Sequence, residues 1–109
     1  MKRFCLALDL QEDTSLIEEY ISHHQHVWPE IIDGIRQVGI QDMQIYRTGN
    51  RMFMIIETPD DFDFEKQMSL LATLPRQQEW ETLMWKYQKP LPHAKQGEKW
   101  VLMEKIFQL

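Results

Sequence analysis

The segment IQDMQIYRTGNRMFMIIET, residues 40–58, narrows the choice of fold more than any other part of this chain. It reads as two strands joined around Gly49-Asn50, because Gly and Asn tolerate the positive φ angles that a tight hairpin turn demands. A lone hairpin is marginal in water, so the fold depends on what the flanking segments lay beside it. Upstream, MKRFCLALDL sets Phe4, Leu6, Leu8 and Leu10 against the smaller Cys5, Ala7 and Asp9, the period of two expected of a strand. QEDTSLIEEYISHH then changes period. Leu16, Ile17, Tyr20, Ile21 and His24 recur at three- and four-residue spacing and share a helical face, with Asp13 or Thr14 as the cap. Pro29 suits the first turn of a second helix, PEIIDGIRQV, and Gly39 ends it.

Downstream of the hairpin, Asp60, Asp61 and Asp63 offer caps for a helix FEKQMSLLATL, and Pro75 opens a further helix, RQQEWETLMWKYQ. KPLPHAKQGEK is a loop by its prolines and glycine, and WVLMEKIFQL is expected to close the chain as a strand. The resulting order is β-α-β-β-α-β, with each helical arm broken in two by a proline. That order predicts an α+β, ferredoxin-like fold: a four-stranded antiparallel sheet with helices on one face. The other face, rich in aromatic and Met residues, is then bare and should bind a small molecule, another subunit, or both.

At 109 residues the chain is expected to be one domain, 1–109, and 43% hydrophobic with 27% charged residues is a globular composition. A net charge of −5 with no basic patch argues against nucleic acid as a partner. The lone Cys5 has no internal disulfide partner, which fits a reducing compartment. Lys2 and Arg3 before an apolar run imitate a signal peptide, but the run meets Asp9 and lacks a small-residue cleavage site. No window has the length of a membrane span, so the expected location is the cytoplasm.

Three of the four histidines, His23, His24 and His26, fall within EEYISHHQHVWPEI. Tyr20 and His24 are four apart, one turn apart on one helix face. A neutral imidazole exchanges protons near physiological pH, and a phenol beside it can donate a hydrogen bond or tune its pKa. The bland alternative is a half-buried Tyr and His at a helix end, bonded to backbone. Zinc is disfavoured: no two of these histidines are four apart, and His23 and His24 point about 100° apart on a helix. No metal is expected from this spacing. Trp28, Trp80, Trp85 and Trp100 are abundant for this length; they either fill the core or present a ring to the C–H face of a sugar.

Tyr20-x-x-x-His24-x-x-x-Trp28-Pro29-Glu30 resembles the signature of the L-rhamnose mutarotase family. The likeness runs over essentially the whole chain, through VGIQDMQIY ending in Tyr46, EWETLM with Trp80 and Met84, and the terminal IFQL. It implies a dimeric α/β-barrel type of ferredoxin-like subunit, a homodimer, no cofactor, and interconversion of the anomers of a 6-deoxy sugar. His24 would be the acid/base, Tyr20 its hydrogen-bonding neighbour and Trp80 a stacking wall, with Tyr46, Met43, Glu81 and Trp28 also at the sugar. The family pattern usually has a tyrosine where this chain has Met43 and a second tryptophan where it has Glu81. That departure leaves the acid/base pair matched and the pocket altered, so L-fucose stands beside L-rhamnose as substrate. A monooxygenase of the same fold and a non-catalytic sugar-binding module are the readings from other classes.

Overall fold

The computed structural model describes residues 1–109. In chain order it contains β1 (Lys2–Leu10), α1 (Thr14–Gln25), α2 (Pro29–Gln37), β2 (Asp42–Thr48), β3 (Arg51–Thr58), α3 (Phe64–Leu71), α4 (Gln77–Trp85), β4 (Gln88–Lys89) and β5 (Val101–Leu102). Local chemistry accounts for most of these bounds. The Asp13 carboxylate accepts from the Leu16 amide to start α1, and Asp63 does the same for Lys66 at α3. Pro29 occupies the first turn of α2, and Gly39 leaves it at φ 102°, a region that costs other residues strain. Gly49 turns the hairpin at φ 57°.

The sheet runs β2-β3-β1-β4 with every pairing antiparallel, and β5 also pairs with β1. Register assigns each residue a face. Leu6 lies opposite Met54, Leu8 opposite Met52, and Met43 and Ile45 opposite Ile56 and Met54. These residues point toward the helices. Cys5, Gln44, Tyr46, Phe53 and Ile55 alternate with them and point away, as strand pleat requires. The ferredoxin-like expectation therefore holds, including the uncovered second face.

Several expected boundaries are wrong: α3 stops at Leu71 rather than Leu74, and α4 begins at Gln77, after Arg76 at φ 63°, rather than at Pro75. The last helix ends at Trp85, not at Gln88: Tyr87 turns inward, and Gln88 joins the sheet opposite Leu10. The closing strand is only Val101–Leu102, extended by the Met103 amide donating to the Cys5 carbonyl at 2.7 Å, and residues 104–109 are exposed and outside the sheet. The register explains the stop. With Leu102 opposite Leu6, the next inward position would place Glu104 opposite Phe4, beside the Phe62 and Phe64 rings that pack on Phe4. A carboxylate there would lose its water with no partner to replace it. The fourth strand position is thus shared by two short pieces, β4 on Asp9 and Leu10 and β5 on Leu6 and Ala7.

Between sheet and helices the core forms two clusters. One gathers Leu8, Leu10, Tyr20, Ile31, Met52, Trp80, Met84 and Tyr87; the other gathers Leu6, Val38, Ile40, Met54, Ile56, Phe62 and Leu71. No helix is long and apolar enough to cross a membrane.

Candidate active site

A cavity of about 160 Å³ opens between the clusters, lined by residues from both. It is smaller than the roughly 300–1,000 Å³ typical of drug-sized ligands, so it suits a small molecule. Of its 18 lining residues 13 are hydrophobic, and the polar exceptions are few: His24, Gln77, Glu81, Gln88 and Lys99, with the Tyr20 phenol beside them. A shallower groove, floored by Ile32, Ile40 and Asp42, shares His24, Val27, Met43 and Ile45 with the cavity. His24 therefore stands on the border between enclosed and open space.

The α1 helix sets His24. Its Nδ1 lies 2.9 Å from the carbonyl oxygen of Tyr20, one turn back. A carbonyl only accepts, so Nδ1 carries the hydrogen and the neutral ring keeps its lone pair on Nε2. The ring stacks on Tyr20 at 4.4 Å between centroids and meets Trp80 edge-on at 5.7 Å. Burial holds its pKa below the ordinary 6.5; the bond to the Tyr20 carbonyl opposes that shift, and the neighbouring His23 adds to it. Near neutral pH His24 is therefore a neutral base with one free ring nitrogen.

Tyr20 is placed as expected but acts differently from expectation. It is its backbone carbonyl, not its phenol, that bonds His24. The phenol oxygen accepts from Gln88 Nε2 at 3.2 Å, and burial pushes its pKa up to about 12, against the lowering effect of that bond. It remains a neutral O–H donor at any physiological pH.

The other expected site residues divide. Trp80, Met43 and Glu81 line the cavity. Glu81 accepts from Gln77 Nε2 at 3.2 Å and lies 3.6 Å from Lys99 Nζ, so its carboxylate is already held in a polar cluster at one wall. Trp28 stands behind Trp80, edge to face at 5.0 Å, with the Arg76 guanidinium 4.0 Å above its ring; it supports the wall and does not line the cavity. Tyr46 is a correction. It pairs with Phe53 on the uncovered face, is 57% exposed, and bonds Gln44, on the side of the sheet away from His24. Positions three apart on a strand face opposite ways, so Met43 and Tyr46 do not serve one pocket within a chain.

His23 diverges from His24, as the helical period requires. Its Nε2 reaches the Tyr87 hydroxyl at 3.1 Å, and that hydroxyl donates to Glu19 at 3.2 Å. No group of three His, Cys, Asp or Glu side chains converges anywhere in the structure. Sequence patterns do not single out Gln77, Gln88 or Lys99. Gln77 could have been found, since it lies one helical turn before Glu81. Gln88 could not, because it reaches the cavity only through strand pairing.

Fold and cavity define the class: a ferredoxin-like protein with one neutral, half-buried imidazole at the mouth of a small apolar pocket. A family model described as L-rhamnose mutarotase matches residues 3–109. An L-fucose mutarotase from Xanthomonas campestris pv. campestris is 40% identical over 111 residues, covering 100% of this chain and 89% of that protein. The crystal structure of an L-rhamnose mutarotase from Formosa agariphila superposes with a TM-score of 0.73 at 17% identity, covering 100% of this chain and 99% of the other. Tetracenomycin F2 cyclase from Streptomyces glaucescens shares the fold at a TM-score of 0.67 and 17% identity, over 100% and 97% of the two chains. The chain belongs to the L-rhamnose mutarotase family.

Proposed function

We propose that this protein interconverts the α and β anomers of a 6-deoxy-hexose, with His24 Nε2 as the group that moves the proton. The observation that carries this is the bond from His24 Nδ1 to the Tyr20 carbonyl, because it leaves the basic nitrogen free at the cavity mouth. Mutarotation moves one proton from the anomeric hydroxyl to the ring oxygen as the C1–ring oxygen bond breaks. The aldehyde then turns about C1–C2 and recloses with the reverse transfer. Nε2 takes the proton from the anomeric hydroxyl, and the imidazolium so formed gives it to the ring oxygen; reclosure returns it. The Tyr20 phenol donates a hydrogen bond to the sugar, and Trp80 offers its ring to the C–H face. Met43 and Glu81 stand at the wall, where they select among hydroxyl arrangements.

Family membership supports a free aldose as substrate. L-Fucose is the sugar we assign, because the relative that shares 40% of its residues over the full length of this chain is named for it. L-Rhamnose is the comparison. Saturation-transfer NMR of the anomeric protons, with and without protein, tests the reading directly. Catalytic amounts should accelerate α/β exchange of L-fucose, and EDTA-treated protein should do so equally. Exchange at the spontaneous rate would remove the assignment, and activity restored by zinc would replace the mechanism.

We also propose that two copies pair over the uncovered face. Phe53, Ile55 and Tyr46 lie there, and the tail separately exposes Ile106 and Phe107, at 88% and 76%. Apolar side chains in such number gain by leaving water together. Sedimentation at micromolar concentration should show a dimer. The cytoplasm is the compartment we assign, on the strength of the unpaired Cys5.

A further inference from the structure

Gln88 is the polar residue of the cavity with the least local reason to be there. It is 5% exposed, buried at the junction of β4 with β1. Its backbone is fixed by the pairing with Leu10 and by the Gln11 side chain, which donates to its carbonyl at 3.0 Å. Its Nε2 donates to the Tyr20 hydroxyl at 3.2 Å, while its Oε1 is buried without any hydrogen-bond partner. A buried amide oxygen left unbonded is costly, and native proteins keep few of them.

We propose that the Gln88 side-chain amide, together with the Tyr20 hydroxyl, receives one ring hydroxyl of the sugar and thereby determines which aldoses the cavity accepts. The inference rests on the mutarotase reading above. Its geometry is one of complementary needs. Since the Tyr20 oxygen accepts from Gln88, its own hydrogen is not used in that bond, and Gln88 Oε1, closed off from water and without a partner, can accept once a turn of the amide brings it to the cavity wall that Gln88 lines. A sugar hydroxyl donates once and accepts, so it satisfies both. The alternative amide orientation leads to the same place with the directions reversed: the phenol would donate to Oε1 and accept from the sugar hydroxyl, whose oxygen would accept from Nε2. A residue present only to hold Tyr20 would need one polar atom; Gln88 brings two. The surroundings supply the discrimination. Leu6, Met54 and Met84 line the same cavity, so a hydroxyl presented at another position loses water and gains nothing.

The test compares L-fucose with its 2-, 3- and 4-deoxy analogues on the unaltered protein and on Gln88→Met, which keeps the length and removes both amide atoms. On the unaltered protein, one of the three deoxy sugars should exchange about tenfold more slowly than the other two, the worth of a well-made neutral hydrogen bond. In Gln88→Met that difference should vanish, while the effects of removing the other two hydroxyls persist. A purely structural Gln88 would slow all the sugars alike and leave the difference intact. Should the variant melt early, the Gln88 side-chain amide resonances of the unaltered protein give a second reading: L-fucose should shift them, and the discriminated deoxy sugar should not. Failure of the unaltered protein to accelerate any 6-deoxy-hexose overturns the mutarotase reading and this inference with it. Acceleration with no hydroxyl coupled to Gln88 overturns this inference alone.

Discussion

The cluster around Ile56 and the cluster around Trp80 pack on the same strands, and neighbouring positions of one strand feed both: Leu6 and Leu8 of β1, Met54 and Met52 of β3. Their chemistry differs. The first is built of aliphatic side chains with Phe62, flanked by Phe4 and Phe64, whose rings lie 5.1 Å apart. No side chain in it carries a nitrogen or oxygen. The second holds Tyr20, Tyr87 and Trp80, and each phenol needs a partner: Gln88 for one, His23 and Glu19 for the other. Well-packed apolar side chains give stability without further conditions. Aromatic residues with polar tips demand a hydrogen-bond network, and a network can be left one partner short so that a ligand completes it. The cavity lies at the border of the two, with walls from both and with His24 beside Tyr20 and Trp80 of the polar one.

The comparison breaks most visibly at His24. His24→Ala should lower the catalysed exchange by about 10²–10⁴-fold, the usual weight of a general acid/base, beyond any stability lost with its bond to the Tyr20 carbonyl. His23→Ala removes the bond and ring contact to Tyr87 and should cost about 0.5–1.5 kcal/mol of stability while keeping most of the activity. Equal loss of activity from both, read by anomeric-proton NMR, would mean that the histidines act as a unit.

The pH profile sharpens the same contrast. Burial lowers the His24 pKa, so the neutral base persists below pH 6.5 and the rate should fall only at still lower pH. The sign for stability follows. The unfolded chain takes up the proton at its ordinary 6.5, the folded one only below it. The contribution of His24 to stability is therefore fully present above that value and is lost as pH falls toward the folded pKa. In His24→Ala that part of the pH dependence of melting should disappear; its persistence would assign it to another group.

From the sealed side, Ile56→Ala should cost about 2–5 kcal/mol, because Ile56 is fully buried and surroundings relax only in part around such a gap. The rate per folded molecule should stay within a few-fold. Chemical denaturation beside the exchange assay checks both halves of that statement.

The smallest effect is expected at the wall. The double variant Glu81→Trp, Met43→Tyr should alter the ratio of L-fucose to L-rhamnose exchange by several-fold, since a carboxylate and a ring satisfy different hydroxyls. An unchanged ratio with full activity would take both residues out of substrate selection.

Much of this molecule was legible in short stretches of sequence. The Gly49-Asn50 turn, the Asp13 and Asp63 caps, Pro29 and Gly39 all act on residues within one turn of themselves, so their meaning survives without the rest of the chain. The same holds for the Tyr20 and His24 face, and for the divergence of His23. The conflict between Met43 and Tyr46 was also legible, because three residues along a strand always reverses the face. What depended on pairing between distant segments was not. The closing strand looked long by composition and stopped at Leu102 because register would have put Glu104 against Phe4. Gln88 looked like the tail of a helix and became a cavity residue because it pairs with Leu10, from the far end of the chain. The Tyr20 hydroxyl shows the division within a single side chain. Its helix position follows from spacing to its near neighbours, but its partner is 68 residues away, and only the closed sheet brings the two within 3.2 Å.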